Sequence, residues 1–293
     1  MGKTLFETGD ELESVSLLAP AKINLFLRVL NRRKDGYHEI RSLMVPISIF
    51  DRIRVEKTKG GGVSLEITGP FPVPDGGDNT CVRAAELFFE RWGCDFGVNI
   101  TVEKNIPAGA GLGGGSSDAG AVLKALSLLA FGEVHLEELE ELSLSVGSDV
   151  PFFVRSRPAL VSGRGEVLTP YLLNTSLPLV VVKPEASVST AWAYGALGRG
   201  EESVGDEFFL PPSLDTVEEV CQVLENDFEE VVFSRLPEVE EVKRRLVESG
   251  ALGALMSGSG SAVFGIFDGE GAARTAAERF SEQGYFSRYA ETL

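Results

Sequence analysis

The chain has 293 residues, 43% of them hydrophobic, and a formal charge of −17 from 44 acidic against 27 basic side chains. That supplies enough apolar material for two moderate domains, while so acidic a surface excludes nucleic acid and anionic membrane as partners. The 3 cysteines lack C-x-x-C spacing, no apolar run reaches the length of a membrane span, and residues 1–14 lack a signal core, so a reduced, cytoplasmic protein is predicted.

Residues 1–14 read as a loose extension, followed by strands over 15–19 and 22–30. In the second strand Ile23, Leu25, Leu27 and Val29 alternate with Lys22, Asn24, Phe26 and Arg28, which puts Lys22 and Asn24 on one face. Strands are expected near 42–49, 52–58 and 62–68, the last two joined by a Gly60–62 hairpin turn. Asp78 or Asn79 caps a helix to about Trp92, a strand over 98–103 feeds a glycine-rich run, and a helix follows over 117–130. A helix over about 136–146 ends at Gly147-Ser-Asp-Val-Pro151, where the proline bars Val150 from helical geometry and leaves Asp149 in a turn before short strands near 152–155 and 159–163. These elements form a first domain over 1–170. The second, 171–293, has strands over 177–182, 252–256 and 262–267, a helix from Pro237 to before Gly250, a helix over 270–282 and a last strand; the acidic stretch 199–214 reads as a mobile surface insertion.

The run Pro107-Ala-Gly-Ala-Gly-Leu-Gly-Gly-Gly-Ser-Ser-Asp118 carries the chemistry. Its backbone can come close to a ligand, and its N–H groups can converge on a phosphate at the start of the following helix. A dinucleotide fingerprint is rejected because Glu133, at the distance of a ribose ligand, has no strand before it; a Walker loop would need a Gly-Lys-Ser or Gly-Lys-Thr ending. A purely structural glycine turn remains the plain alternative. Phosphoryl transfer to an alcohol needs a phosphate cradle, a cation and a proton-accepting carboxylate. The glycine run, with the Ser116 and Ser117 hydroxyls open to Mg²⁺ or phosphate, Lys22 in its apolar strand and Asp149 in its turn supply one candidate each, against the plainer readings of a snorkelling lysine and a turn cap. Tyr37 and His38 could grip a planar polar group or simply pack a turn, and His135 reads as a solvated or capping residue.

In order along the chain, Ala19-Pro-Ala-Lys-Ile-Asn-Leu25, Pro107 to Ser117 and Met256-Ser-Gly-Ser-Gly-Ser261 resemble the three signature segments of the GHMP small-molecule kinases. Arg32-Arg-Lys-Asp-Gly-Tyr-His38 and Gly147-Ser-Asp-Val-Pro-Phe-Phe153 are similar to the branch that acts on a cytidine diphosphate ester of a branched tetritol. The resemblance implies an α/β (α+β) fold of two domains, one like the second domain of ribosomal protein S5 and one ferredoxin-like, with the active site in the cleft between them. It implies ATP and Mg²⁺ as cofactors, a small cytidine diphosphate substrate phosphorylated on its 2-hydroxyl, and a place in the non-mevalonate route to isoprenoid precursors. Carried over by position, Asp149 is the base and Lys22 its partner across the cleft, compensating charge on the migrating phosphoryl group. Gly109, Gly111, Gly113, Gly114, Gly115, Ser116 and Ser117, with Pro107, wrap the phosphates, and Lys104 neighbours the adenine. Asn24 orients the substrate, which Asp149 also contacts, Tyr37 and His38 hold the cytosine, Tyr194 sandwiches it against Tyr37, and Thr190 touches the substrate. A sister kinase for homoserine, mevalonate or a sugar would not need Tyr37 and His38, and a non-catalytic sensor would be expected to lose Lys22 or Asp149. Monomer and homodimer both remain open.

Overall fold

The structure is a computed structural model that describes residues 12–71, 73, 79–202 and 209–293. Most of the expected N-terminal extension, Asp78 as an alternative cap and the centre of the acidic 199–214 stretch lie outside the described residues. The described residues fall into two compact units, one holding those up to Ala21, those within 49–108 and Gly113–Ser156, the other Lys22–Ser48, Gly109–Leu112 and those within 157–293.

Both divisions near the start fall inside long strands. β1, Ser14–Arg32, is one strand where two were expected. Proline's fixed φ suits extended backbone, and the Pro20 carbonyl accepts the Ser117 hydroxyl at 2.7 Å, so nothing breaks the strand there. β2, His38–Thr58, likewise fuses the strands expected near 42–49 and 52–58.

In the first unit β3 (Val63–Thr68), α1 (Thr80–Trp92) and β4 (Gly97–Glu103) follow. Asn79 caps α1 by accepting the Cys81 N–H at 2.9 Å. β4 runs antiparallel to β2 and parallel to β3, so it lies between them and Gly60–62 is not a hairpin turn between neighbours. The physical reason is burial: Val98, Ile100 and Val102 of β4 are almost wholly enclosed, whereas β3 alternates half-buried and exposed residues as an edge strand does. α2 (Gly114–Phe131) starts three residues before the expected helix, and α3 (Leu136–Ser143) is shorter than expected. α2 is apolar nearly all round because it runs through the core, in one cluster with Phe88 and Ile100. α4 (Val150–Arg155) replaces the strand expected near 152–155. Pro151 sits in its first turn, where a proline needs no N–H partner, so Val150 is helical and Asp149 is the N-cap residue.

The second unit continues with β5 (Ala159–Ser162), antiparallel to β2 at Ser42–Met44, and β6 (Val167–Pro170), antiparallel to β5. Then come β7 (Leu172–Leu173), β8 (Pro178–Lys183), α5 (Thr190–Leu197), β9 (Ser213–Leu214), α6 (Val217–Gln222) and β10 (Glu225–Asn226), the last parallel to β1. α7 (Phe228–Arg235), α8 (Pro237–Glu248), β11 (Gly253–Met256), β12 (Val263–Ile266), α9 (Glu270–Glu282) and β13 (Phe286–Glu291) complete it. β11, β12, β8 and β13 form an antiparallel sheet in that order, with α8 packed on β11 and β12 and α9 on β8 and β13. Among the described residues no helix is long and apolar enough to cross a membrane.

Candidate functional site

In the second unit two glycine turns are stitched together. The Ser257 hydroxyl donates to the Gly111 carbonyl at 3.0 Å, and the Ala262 N–H donates to the Ala110 carbonyl at 3.1 Å. Gly111 has φ +76°, and a Cβ there would overlap the Ser257 carbonyl oxygen, so only glycine permits this approach. The Lys22 N–H donates to the Leu112 carbonyl at 3.0 Å, joining β1 to the same segment.

Lys22 and Asn24 share a face, as alternation predicts. Lys22 is 4% exposed and its ammonium donates to the Asn24 amide oxygen. The Asn24 amide donates to the Ser42 hydroxyl at 2.8 Å, which donates to the Phe26 carbonyl at 2.6 Å. This chain of neutral groups fixes the direction of the ammonium. A Cβ at Gly258 would stand 3.1 Å from Lys22 Nζ, so the 257–261 turn covers the lysine closely. Asn226, which sequence reasoning missed, sets that turn by donating to the Met256 and Gly258 carbonyls at 2.7 and 2.9 Å, while its Oδ1 accepts the Phe228 N–H at 2.9 Å. A polar Asn-Asp pair ahead of a helix is the signal that could have found both Asn226 and α7.

The planar-group candidates lie in this unit too. The His38 ring stacks on Tyr194 with centroids 5.0 Å apart, and Tyr194 meets Phe228 edge-on at 4.9 Å. Tyr37 is 52% exposed, and one face of its ring carries the Arg164 guanidinium at 5.0 Å. Burial holds the His38 pKa below its ordinary 6.5, aided by Arg32 and opposed by a hydrogen bond to the Arg199 backbone. The imidazole is therefore neutral at pH 7, with one N–H committed and one nitrogen left as an acceptor. The exposed Thr190, first residue of α5, has its hydroxyl 2.9 Å from that of Ser259.

The first unit holds the rest of the glycine run and Asp149. Gly113, at φ 73°, precedes α2, whose opening residues are Gly114, Gly115, Ser116 and Ser117. The first amides of a helix have no partner within it and favour an anion. Thr80 steadies this end by donating to the Gly115 carbonyl at 2.9 Å. Ser116 is half-buried, whereas Ser117 is 1% exposed with its hydroxyl donated to Pro20, so Ser116 is the hydroxyl better presented to a phosphate or ion. Pro107 is buried and Gly109 exposed, and Asp149 is half-buried at the start of α4, making no side-chain cap bond to it. Among the described residues no group of three or more His, Cys, Asp or Glu could hold a metal ion.

Lys104 is enclosed rather than open. It is 2% exposed, and its ammonium lies between Asp51 and Asp118, with Asp118 Oδ2 at 2.6 Å. Burial alone would lower its pKa, and the two carboxylates more than offset that, leaving it above 10.5. Asp51 also accepts the Asn105 and Ile106 N–H groups, so the cluster holds the entry to the glycine run. Neither aspartate was legible as a site residue. Asp118 Oδ1 is buried and has no hydrogen-bond partner among the described residues. Burial, together with the nearby Asp51, outweighs the pull of Lys104 and raises Asp118 from 3.8 to about 8.

Residues 79–157 match the model of the GHMP kinases N terminal domain, and residues 212–285 match that of the GHMP kinases C terminal. A 4-diphosphocytidyl-2-C-methyl-D-erythritol kinase of Geobacter sp. (strain M21) is 44% identical over 285 residues, covering 96% of this chain and 100% of that protein. The enzyme of the same name from Geobacter metallireducens is 45% identical over 267 residues, 91% of this chain and 94% of that protein. A crystal structure of 4-(cytidine 5'-diphospho)-2C-methyl-D-erythritol kinase superposes with a TM-score of 0.77 at 40% identity, covering 95% of this chain and 99% of the other. With near-full-length identity above 40% and the GHMP kinase fold in both halves, the chain belongs to the 4-diphosphocytidyl-2-C-methyl-D-erythritol kinase family of the GHMP kinases.

Proposed function

We propose that the chain transfers the γ-phosphoryl group of ATP to the 2-hydroxyl of 4-diphosphocytidyl-2-C-methyl-D-erythritol, releasing ADP and the 2-phosphate for isoprenoid precursor synthesis. The observation that carries this reading is the near-full-length identity to kinases of that name. The chemistry of the side chains supports it. The backbone of Gly109, Gly111 and Gly113–115, bounded by Pro107, grips the phosphates together with Ser116 and the first amides of α2. Mg²⁺, when bound with ATP, offsets phosphate charge, and Ser116 would hold it, with Ser117 as the deeper hydroxyl. Lys104 acts through the run whose entry it underpins.

Asp149 accepts the proton of the tertiary hydroxyl as that oxygen attacks phosphorus, and Lys22 offsets the charge on the moving phosphoryl group. Asn24 orients both the ammonium and the substrate. The free nitrogen of a neutral His38 accepts from an exocyclic amino group, which cytosine has and uracil lacks, while Tyr37 and Tyr194 offer ring faces and Thr190 a hydroxyl. We assign the family's two domains to residues 1–170 and 171–293. The three free cysteines suit a reducing cytoplasm.

The test is ADP release by the purified chain with ATP, Mg²⁺ and the cytidylyl substrate, set against homoserine and mevalonate. Turnover of the cytidylyl substrate alone is expected; preference for either rival acceptor would reassign the enzyme within its superfamily. Asp149→Asn should lower turnover by about 10²-fold to 10⁴-fold while both ligands still bind. Near-wild-type turnover in that variant would remove Asp149 from the mechanism.

A further inference from the structure

We propose that Lys124 is a positioning residue for the reaction: from the middle of α2 it clamps the short helix that begins at Asp149. The inference rests on the reading of Asp149 as the base. α4 has only 6 residues, too few for a helix to hold itself in water, so its orientation comes from what it packs against. Its last carbonyls lack partners within the helix. The Phe152 carbonyl is taken by the Ser156 N–H at 2.7 Å, and the Phe153 carbonyl accepts both the Ser156 hydroxyl at 2.8 Å and Lys124 Nζ at 3.0 Å. A cation at this end also complements the helix dipole.

One turn earlier on the same face of α2, Gly120 makes the second contact. A Cβ there would stand 3.0 Å from Phe153 Cβ and 3.2 Å from its carbonyl carbon, so the absent side chain lets the helices meet closely. Phe153 itself is 1% exposed. The two helices are thus joined at one residue by a hydrogen bond and by close packing. α2 opens with the residues proposed to grip the phosphates, and α4 opens with the proposed base. The joint between them fixes the separation of carboxylate and phosphate, and Asp149, making no cap bond of its own to α4, goes where the helix goes. Burial brings the Lys124 ammonium down to about 8, but either protonation state keeps an N–H for the carbonyl, so the clamp survives across that range.

The test compares Lys124→Met, which keeps the chain length without the donor, with Lys124→Arg, which keeps a donor, in steady-state assays with ATP, Mg²⁺ and the cytidylyl substrate. Hydrogen exchange over residues 150–156 is followed in parallel. For K124M we expect kcat to fall about 10-fold to 10²-fold, as for a misplaced catalytic group, with KM for ATP unchanged and faster exchange confined to α4. K124R should restore both. Wild-type kcat and exchange in K124M would overturn the proposal, as would equal losses of kcat, ATP affinity and melting temperature in both variants. Asp149→Asn run alongside separates the failures: if it turns over normally, the base assignment falls, and the clamp then stands or falls on the exchange data.

Discussion

Lys22 and Lys104 are both enclosed, at 4% and 2% exposure, yet their ammonium groups are held in opposite ways. Lys104 lies between two carboxylates, one of which also binds two backbone amides, so its charge is spent inside the fold. Lys22 is aimed by an amide oxygen at the head of a chain that runs through Ser42 to a backbone carbonyl, and those partners carry no charge. Burying an ion costs free energy in either setting. A carboxylate repays that cost with its own charge and locks the lysine as structure, whereas an amide oxygen sets the direction of the ammonium. The comparison ties Lys104 to the stability of the run proposed to bind phosphate, and sets it apart from Lys22, the lysine proposed to act in the chemistry.

The largest expected effect is on the structural side. Lys104→Met leaves Asp51 and Asp118 buried without their cation and should cost about 3–5 kcal/mol of stability, read as a lower denaturant midpoint at unchanged m-value. A variant that keeps its midpoint but loses ATP affinity would break the comparison and return Lys104 to the adenine, as position along the sequence alone suggests. Lys22→Met should do the reverse: turnover lower by about 10²-fold to 10³-fold, the size seen when one preorganised electrostatic donor is lost, with little change in midpoint. If that variant melts as early as Lys104→Met, or turns over normally, the two lysines do not differ in the way their partners imply.

Local pattern made one side of this comparison legible and hid the other. Period-two alternation placed Lys22 and Asn24 on one face of β1, and they bond to each other, two residues apart. Helical periodicity placed a helix over 270–282, and α9 has those bounds. Asp51 meets Lys104 from 53 residues away, and Asn226 reaches Met256 and Gly258 across 30 and 32 residues. No local signal marks such partners, because the pairing depends on which strands become neighbours. The same blindness explains Gly60–62: a turn composition is visible, but not the arrival of β4 between the strands on either side. At α4 the error was a rule applied too broadly, since a proline in the first turn of a helix does not stop the residue before it from being helical.

The smallest effect sharpens the structural side by asking how many protons the Lys104 cluster holds. Two carboxylates share one ammonium in the interior, and burial with the nearby Asp51 pushes Asp118 from 3.8 up to about 8. An acid whose folded-state pKa is raised keeps its proton after the unfolded chain has lost it. Its stabilising share is full below about 4, declines as pH rises and is gone above about 8, because over that window unfolding releases a proton. Asp118→Asn cannot titrate and resembles the protonated acid, leaving Lys104 and Asp51 as a one-to-one pair. The stability of this variant should fall less steeply than wild type between pH 4 and 8, by up to about 1.4 kcal/mol per pH unit, in denaturant titrations at a series of pH values. Parallel profiles would mean that Asp118 is ionised in the folded protein. The cluster would then hold two negative charges against one positive beneath the run proposed to bind polyphosphate, and a shared proton could no longer be what makes that arrangement tolerable.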